Sequence, residues 1–97
     1  MAAYLIARVE ITNPQQYQEY LRVSPQIIAR HGGKFKARAG TTLTLEGPEE
    51  TRRIVIIEFP SLEKAQSFYY SKEYQEAKQL RKDAGIGEMI VVEGTVQ

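Results

Sequence analysis

Residues 52–59, Arg52-Arg53-Ile54-Val55-Ile56-Ile57-Glu58-Phe59, put β-branched side chains on both faces of any strand they form. Side chains in a strand alternate between faces, so this segment reads as a central strand buried on both sides. Residues 3–11 supply a neighbour. Leu5, Ala7, Val9 and Ile11 fall on one face, and Tyr4, Ile6, Arg8 and Glu10 on the other. Period two with one wholly apolar face predicts a half-buried strand.

The remaining elements follow from breaks and caps. Asn13 suits a helix cap, Pro14 the first helical position, and Gln16 stands three residues after the cap. Tyr17, Tyr20, Leu21, Ser24, Ile27 and Ile28 continue at helical spacing. Pro25 predicts a kink near Ser24, because it lacks an N–H and crowds the carbonyl of Leu21. His31-Gly32-Gly33 closes the helix. Residues 34–46 read as a second strand with Phe35, Ala37, Ala39, Leu43 and Leu45 on one face and Gly40 as a bulge or bend. After the central strand, Ser61 caps a helix with Leu62, Ala65, Phe68 and Tyr69 inward. Ser71 breaks it and caps a third, short helix bearing Tyr74, Ala77, Lys78 and Arg81. Gly85-Ile86-Gly87 reads as a turn and residues 89–93 as the last strand. The order β-α-β-β-α-β, in one domain over residues 1–97, predicts a ferredoxin-like α+β fold. Its four-stranded antiparallel sheet carries the helices on one face.

Helices on one face leave the other bare. By parity that face carries Tyr4, Ile6, Ile54 and Ile56 on the central strands, with Arg8, Glu10, Glu46 and Glu58 around them. Leaving the four apolar groups in water forfeits roughly 1.5–3 kcal/mol each. A homodimer through the sheet face is the expected remedy.

Charge and composition narrow the chemistry. The net charge is +1 with acids and bases interleaved, so no nucleic-acid footprint is expected. The alternating Lys34, Lys36 and Arg38 fit a solvated strand face. The chain has no cysteine, which removes disulfides, thiol catalysis and thiolate metal sites. With a single histidine, no metal site is expected. The apolar start is interrupted at Arg8 and reads as a strand rather than a signal peptide. No apolar run approaches the roughly 20 residues of a membrane span, so a cytoplasmic protein is expected. Phosphate-loop, dinucleotide and nucleophile-elbow patterns are absent.

A few polar residues remain as site candidates. His31 could move a proton, or could simply meet free carbonyls at the end of its helix. Glu58, beside the isoleucines, could be an acid with a raised pKa, or the partner of Arg38 or Arg8. Arg38 could instead bind a carboxylate or phosphate of a ligand. Phe68, Tyr69, Tyr70 and Tyr74 could wall a cleft or fill the core.

An ordered set of residues also carries a resemblance. It comprises Arg30-His31-Gly32-Gly33 with Arg38, Glu46-Gly47, and Arg53 leading into Val55-Ile56-Ile57-Glu58-Phe59-Pro60-Ser61. Phe68-Tyr69, Ser71, Tyr74, Arg81 and Val92-Glu93-Gly94 complete it. From Tyr4 to Gly94 the chain resembles domain-of-unknown-function family 1330, within the dimeric α/β-barrel superfamily. The resemblance implies a ferredoxin-like dimer and no assigned reaction. It singles out His31, Arg38, Glu58, Tyr69 and Arg81. Phe68 stands where the family often has Trp, and Lys72 where it often has Pro. The superfamily includes haem-degrading and quinone-forming monooxygenases and small isomerases. Without a Trp, and with its histidine ending a helix, this chain does not fit haem chemistry, and no cofactor is expected. Three functional expectations follow. The first is a dimer holding a small, partly anionic organic molecule near His31 and Arg38. The second is a cofactor-free oxygenase or isomerase, in which Tyr or His moves a proton and Arg steadies an oxyanion. The third is a purely structural role.

Overall fold

Strand β1 (Ala3–Ile11) pairs on both edges and is the central template of the sheet. The computed structural model describes residues 1–96. Its elements are β1, α1 (Pro14–Arg30), β2 (Lys34–Arg38), β3 (Arg53–Phe59), α2 (Leu62–Tyr70), α3 (Lys72–Gln79) and β4 (Gly85–Glu93). The sheet order is β2-β3-β1-β4, every pair antiparallel. β3 and β1 are the inner strands, as the two-sided apolar run requires.

The caps form where the sequence places them. Asn13 accepts from the Gln16 N–H at 3.1 Å, Ser61 from Lys64 at 3.1 Å and Ser71 from Tyr74 at 3.1 Å. Each satisfies a backbone donor that has no partner inside the helix. α1 runs through Pro25 as one helix of 17 residues, so the proline does not divide it. At its end Gly32 takes φ of 82°, a left-handed position that favours glycine. The next residue is glycine for space. A Cβ on Gly33 would stand 2.6 Å from Ile28 Cγ2 and 2.9 Å from Phe59 Cε1.

Leu5, Ala7, Val9, Ile57 and Phe59 meet Tyr17, Tyr20, Ile27, Ile28, Phe68 and Tyr74 in one core between sheet and helices. Leu62, expected inside, is exposed, and Ala65 and Phe68 carry the inner stripe of α2.

Two boundaries and the place of a bulge differ from the sequence reading. The second strand ends at Arg38 rather than at residue 46. Ala39 has φ of 58°, which a side chain resists, and it turns the chain out of the sheet. Leu43 and Leu45 then stand 82% and 88% exposed, and Glu46 lies in this loop rather than on the sheet face. The bulge falls between Phe35 and Ala37, not at Gly40. At the other edge, the expected turn Gly85-Ile86-Gly87 is strand, because the full length of β1 templates it: Ile11 faces Gly85 and Glu10 faces Ile86.

The loop over residues 39–52 is clasped at its base. Arg52 Nε donates to Glu50 Oε2 at 2.8 Å, and Nη2 donates to Oε1 at 2.9 Å. The side chain and backbone N–H of Arg52 hold the Glu50 carboxyl down at about 2. Arg52 Nη1 continues to Glu88 on β4 at 2.7 Å.

The molecule is a plate of 37 × 37 × 16 Å, one sheet and one helical layer thick. Its outer face carries a row of apolar residues in register, Ala37–Ile56–Ile6–Ile90, flanked by Tyr4, Ile54, Ile86 and Val92.

Candidate functional site

A cavity of about 670 Å³ opens between α2, the end of α3 and the edge strand β4. Leu5, Val9, Leu62, Ala65, Met89 and Val91 make its apolar wall, and Gln66, Tyr69, Tyr70, Lys78, Arg81 and Glu88 bring polar groups. Gly87, Met89 and Val91 come from the helix side of β4, whereas Glu88 and Ile90 come from its outer side. The cavity therefore opens around the free edge of the sheet.

Two cations define it. Lys78 Nζ donates to Tyr69 Oη at 2.8 Å across the bend at Ser71. Ser71 sets that geometry by ending α2 with its hydroxyl on the Phe68 carbonyl at 2.7 Å while capping α3. Arg81, just after α3, donates from Nη2 to Tyr74 Oη at 3.1 Å and lies 5.2 Å from the Tyr20 ring centre. Its Nε is buried without a hydrogen-bond partner. Among the described residues, neither Lys78 nor Arg81 forms an ion pair with a carboxylate. Glu88 does not neutralise them, because Arg52 holds it at 2.7 Å and Arg8 at 3.8 Å. The wall thus has unmatched positive charge beside phenols and aliphatic groups.

Behind this wall Tyr20 and Tyr74 share a hydrogen bond of 2.7 Å. Burial, and then the Tyr74 phenol, push the Tyr20 hydroxyl well above the ordinary 10.0. In the unfolded chain Tyr20 ionises near 10.0, while the folded state keeps its proton. The unfolded state therefore binds fewer protons above that pH. Stability from this group is complete below pH 10 and falls as pH rises past it, by about 1.4 kcal/mol per unit. Phenolate absorbance during alkaline titration should show the Tyr20 signal arriving with unfolding. A reversible rise at pH 10 in folded protein, counting all six tyrosines, would contradict this.

The five residues singled out by the sequence are scattered. Tyr69 and Arg81 line the large cavity. His31 and Glu58 line neither it nor a smaller void of about 40 Å³ between α1 and the sheet. Arg38 borders that void and packs 4.3 Å from the Phe35 ring centre. His31 Nε2 lies 3.3 Å from Glu73 Oε1, and Arg30 pairs with the same carboxylate at 2.7 Å, so His31 ties the end of α1 to the start of α3. Glu58 lies on the outer face, taking a hydrogen bond from Tyr4 Oη at 3.2 Å with Lys36 3.7 Å away. His31, Arg38 and Glu58 thus do not face one point. Lys78 and Gln66 were missed. Lys78 had a weak signal, since it lies three residues before Arg81 without an acidic partner one turn earlier, where Tyr74 stands.

Residues 2–95 match the family described as Domain of unknown function (DUF1330). The chain belongs to that family. No curated protein matches it. Among solved structures, this DUF1330 protein is similar to RPA0582, a protein of unknown function from Rhodopseudomonas palustris. The identity is 22%, the TM-score 0.78, and 99% of this chain and 84% of that one are covered. It is also similar to SnoaB, a cofactor-independent oxygenase from Streptomyces nogalater. Here the identity is 11%, the TM-score 0.70, and the coverage 99% and 95%. A dimeric ferredoxin-like protein of unknown function from Thermobifida fusca has 12% identity, a TM-score of 0.64 and coverage of 97% and 92%. These likenesses establish the ferredoxin-like fold. Among the described residues, no helix is long and apolar enough to cross a membrane.

Proposed function

We propose that this DUF1330 protein is a homodimer, joined through the outer sheet face, that binds a small organic anion in the cavity beside β4. The observation that carries the ligand reading is the pair Lys78 and Arg81, two cations on a wall of mixed polar and apolar groups that, among the described residues, form no ion pair with a carboxylate. Partly desolvated charge of one sign is unfavourable unless a counter-charge arrives. A carboxylate would take charge-assisted hydrogen bonds from both cations, and an aromatic or branched body would fill the space lined by Leu5, Val9, Met89 and Val91. Benzoate is the simplest such probe. Calorimetric titration should show benzoate binding at least about tenfold more tightly than phenol, the difference made by one charge-assisted contact. Lys78→Met should remove most of that preference. Equal affinities for benzoate and phenol, or no heat with either, would defeat the reading.

A second reading, a cofactor-free oxygenase or isomerase, rests on the Tyr69–Lys78 hydrogen bond. A phenol held by an ammonium at a cavity wall is placed to exchange a proton with an enolisable substrate. The structural likeness to an oxygenase at 11% identity adds only the fold. Exchange of substrate deuterium dependent on the Tyr69 hydroxyl, lost in Tyr69→Phe, would favour this reading over simple binding.

A further inference from the structure

A DUF1330 chain of this shape exposes too much surface for a monomer. It presents 6691 Å², whereas about 5,600 Å² is usual for a folded monomer of 11.0 kDa. The excess, about 1,100 Å², exceeds the roughly 800 Å² that each partner buries in a standard interface. The radius of gyration, 13.6 Å, is likewise larger than the about 12.5 Å usual for this length.

The surplus lies in two places. One is the outer sheet face, where Ile86, Ile90 and Val92 of β4 are 69%, 54% and 50% exposed. The other is the loop after β2. Its run Thr41-Thr42-Leu43-Thr44-Leu45 alternates like a strand and pairs with no strand among the described residues. The loop is nevertheless fixed. Thr44 Oγ1 accepts from the Glu50 N–H at 2.9 Å, Arg52 clasps Glu50, and Ala39 is held in a conformation a side chain resists. A clasped loop presenting two wet leucines is shaped for an apolar surface.

A two-fold axis along the strands gives the loop such a surface. With the outer faces together and a two-fold axis along the strands, the β2 edge of one copy lies over the β4 edge of the other. The loop leaves β2 at the end of the sheet where β4 begins, the end marked by Ile86. The cavity mouth, from Gly87 to Val91, is on that same edge.

We infer that Leu43 and Leu45 pack on the β4 edge of a second copy, at Ile86 and Ile90, and close the mouth of that copy's cavity. The inference rests on the dimer reading and adds a shared ligand site. Each cavity is then walled by its own chain and covered by the partner's loop. It also protects the free backbone edge of β4, which would otherwise invite further strands.

The absence of cysteine makes the test direct. Leu45→Cys chains are mixed with tagged Ile86→Cys or Ile90→Cys chains and oxidised gently. The inference expects a disulfide between the two kinds of chain. It also expects that Leu43→Asp/Leu45→Asp weakens benzoate binding about tenfold, because the ligand loses its cover. The leucines are exposed within their own chain, so folding should be unaffected. A wild-type dimer in sedimentation with no mixed disulfide overturns the loop placement and leaves the dimer standing. A mixed disulfide with unchanged benzoate affinity overturns closure of the cavity. A wild-type monomer overturns the inference together with the dimer reading.

Discussion

Ile56→Asp should turn the proposed dimer into a folded monomer. Ile56 stands at the middle of the outer face, opposite Ile6 on β1 and Ala37 on β2. In a two-fold dimer every substitution occurs twice. Losing two buried isoleucines removes roughly 3–6 kcal/mol. Burying two unpaired carboxylates against Ile6 and its symmetry mate adds several more. The dissociation constant should therefore rise by at least about 10⁴-fold. The subunit itself should survive, because β3 is hydrogen-bonded on both sides and the core residues Ile57 and Phe59 point the other way. In the separated monomer the new aspartate faces water. Sedimentation equilibrium with circular dichroism separates the outcomes. A variant that still sediments as a dimer at micromolar concentration would show that the pairing surface lies elsewhere.

The same face explains why so much of the fold was legible. The alternation of residues 3–11 and the two-sided run Ile54–Ile57 state which strands are inner, whatever surrounds them. The caps Asn13, Ser61 and Ser71 act within one helical turn, so they too are readable locally. Misreadings came where a partner strand decides. Residues 41–45 have a strand pattern but no strand beside them in this chain, and a local pattern is silent about where its partner lies. Gly85-Ile86-Gly87 has turn composition but is drawn into β4 because β1 extends far enough to pair with it. Glycine weakens a strand, yet nine residues of ladder outweigh that preference.

The site was less legible for a different reason. Tyr69 and Lys78 are nine residues apart and on different helices. Their contact depends on the angle between α2 and α3 at Ser71, a quantity no spacing rule supplies. His31 drew attention as the only histidine, but its position after α1 sets it against Glu73 rather than a cavity. Glu58 drew attention by lying next to isoleucines. Alternation along β3 takes it to the outer face, where Tyr4 and Lys36 satisfy it.

Arg81→Met should weaken benzoate binding by at least about tenfold while leaving the fold intact, and the two effects together distinguish a ligand site from a structural cation. Among the described residues, Arg81 Nε is buried with no acceptor, and the rest of its guanidinium meets the phenols of Tyr74 and Tyr20. A carboxylate entering the cavity would meet the part of the guanidinium that lines its wall and give it a counter-charge. A hydrogen bond to a charged partner contributes about 1.5–3 kcal/mol, so its removal should weaken binding by about tenfold to 150-fold. Stability should move the other way or not at all. Exchanging a partly buried, uncompensated cation for an apolar chain of similar length is often neutral or stabilising, and Tyr74 keeps its 2.7 Å hydrogen bond to Tyr20. Arg81→Lys should fall between, since it keeps the charge but not the planar fork of donors. If Arg81→Met instead lowers Tm sharply and leaves benzoate affinity unchanged, the guanidinium is a brace for the Tyr20–Tyr74 pair, and the anion site must be sought without it.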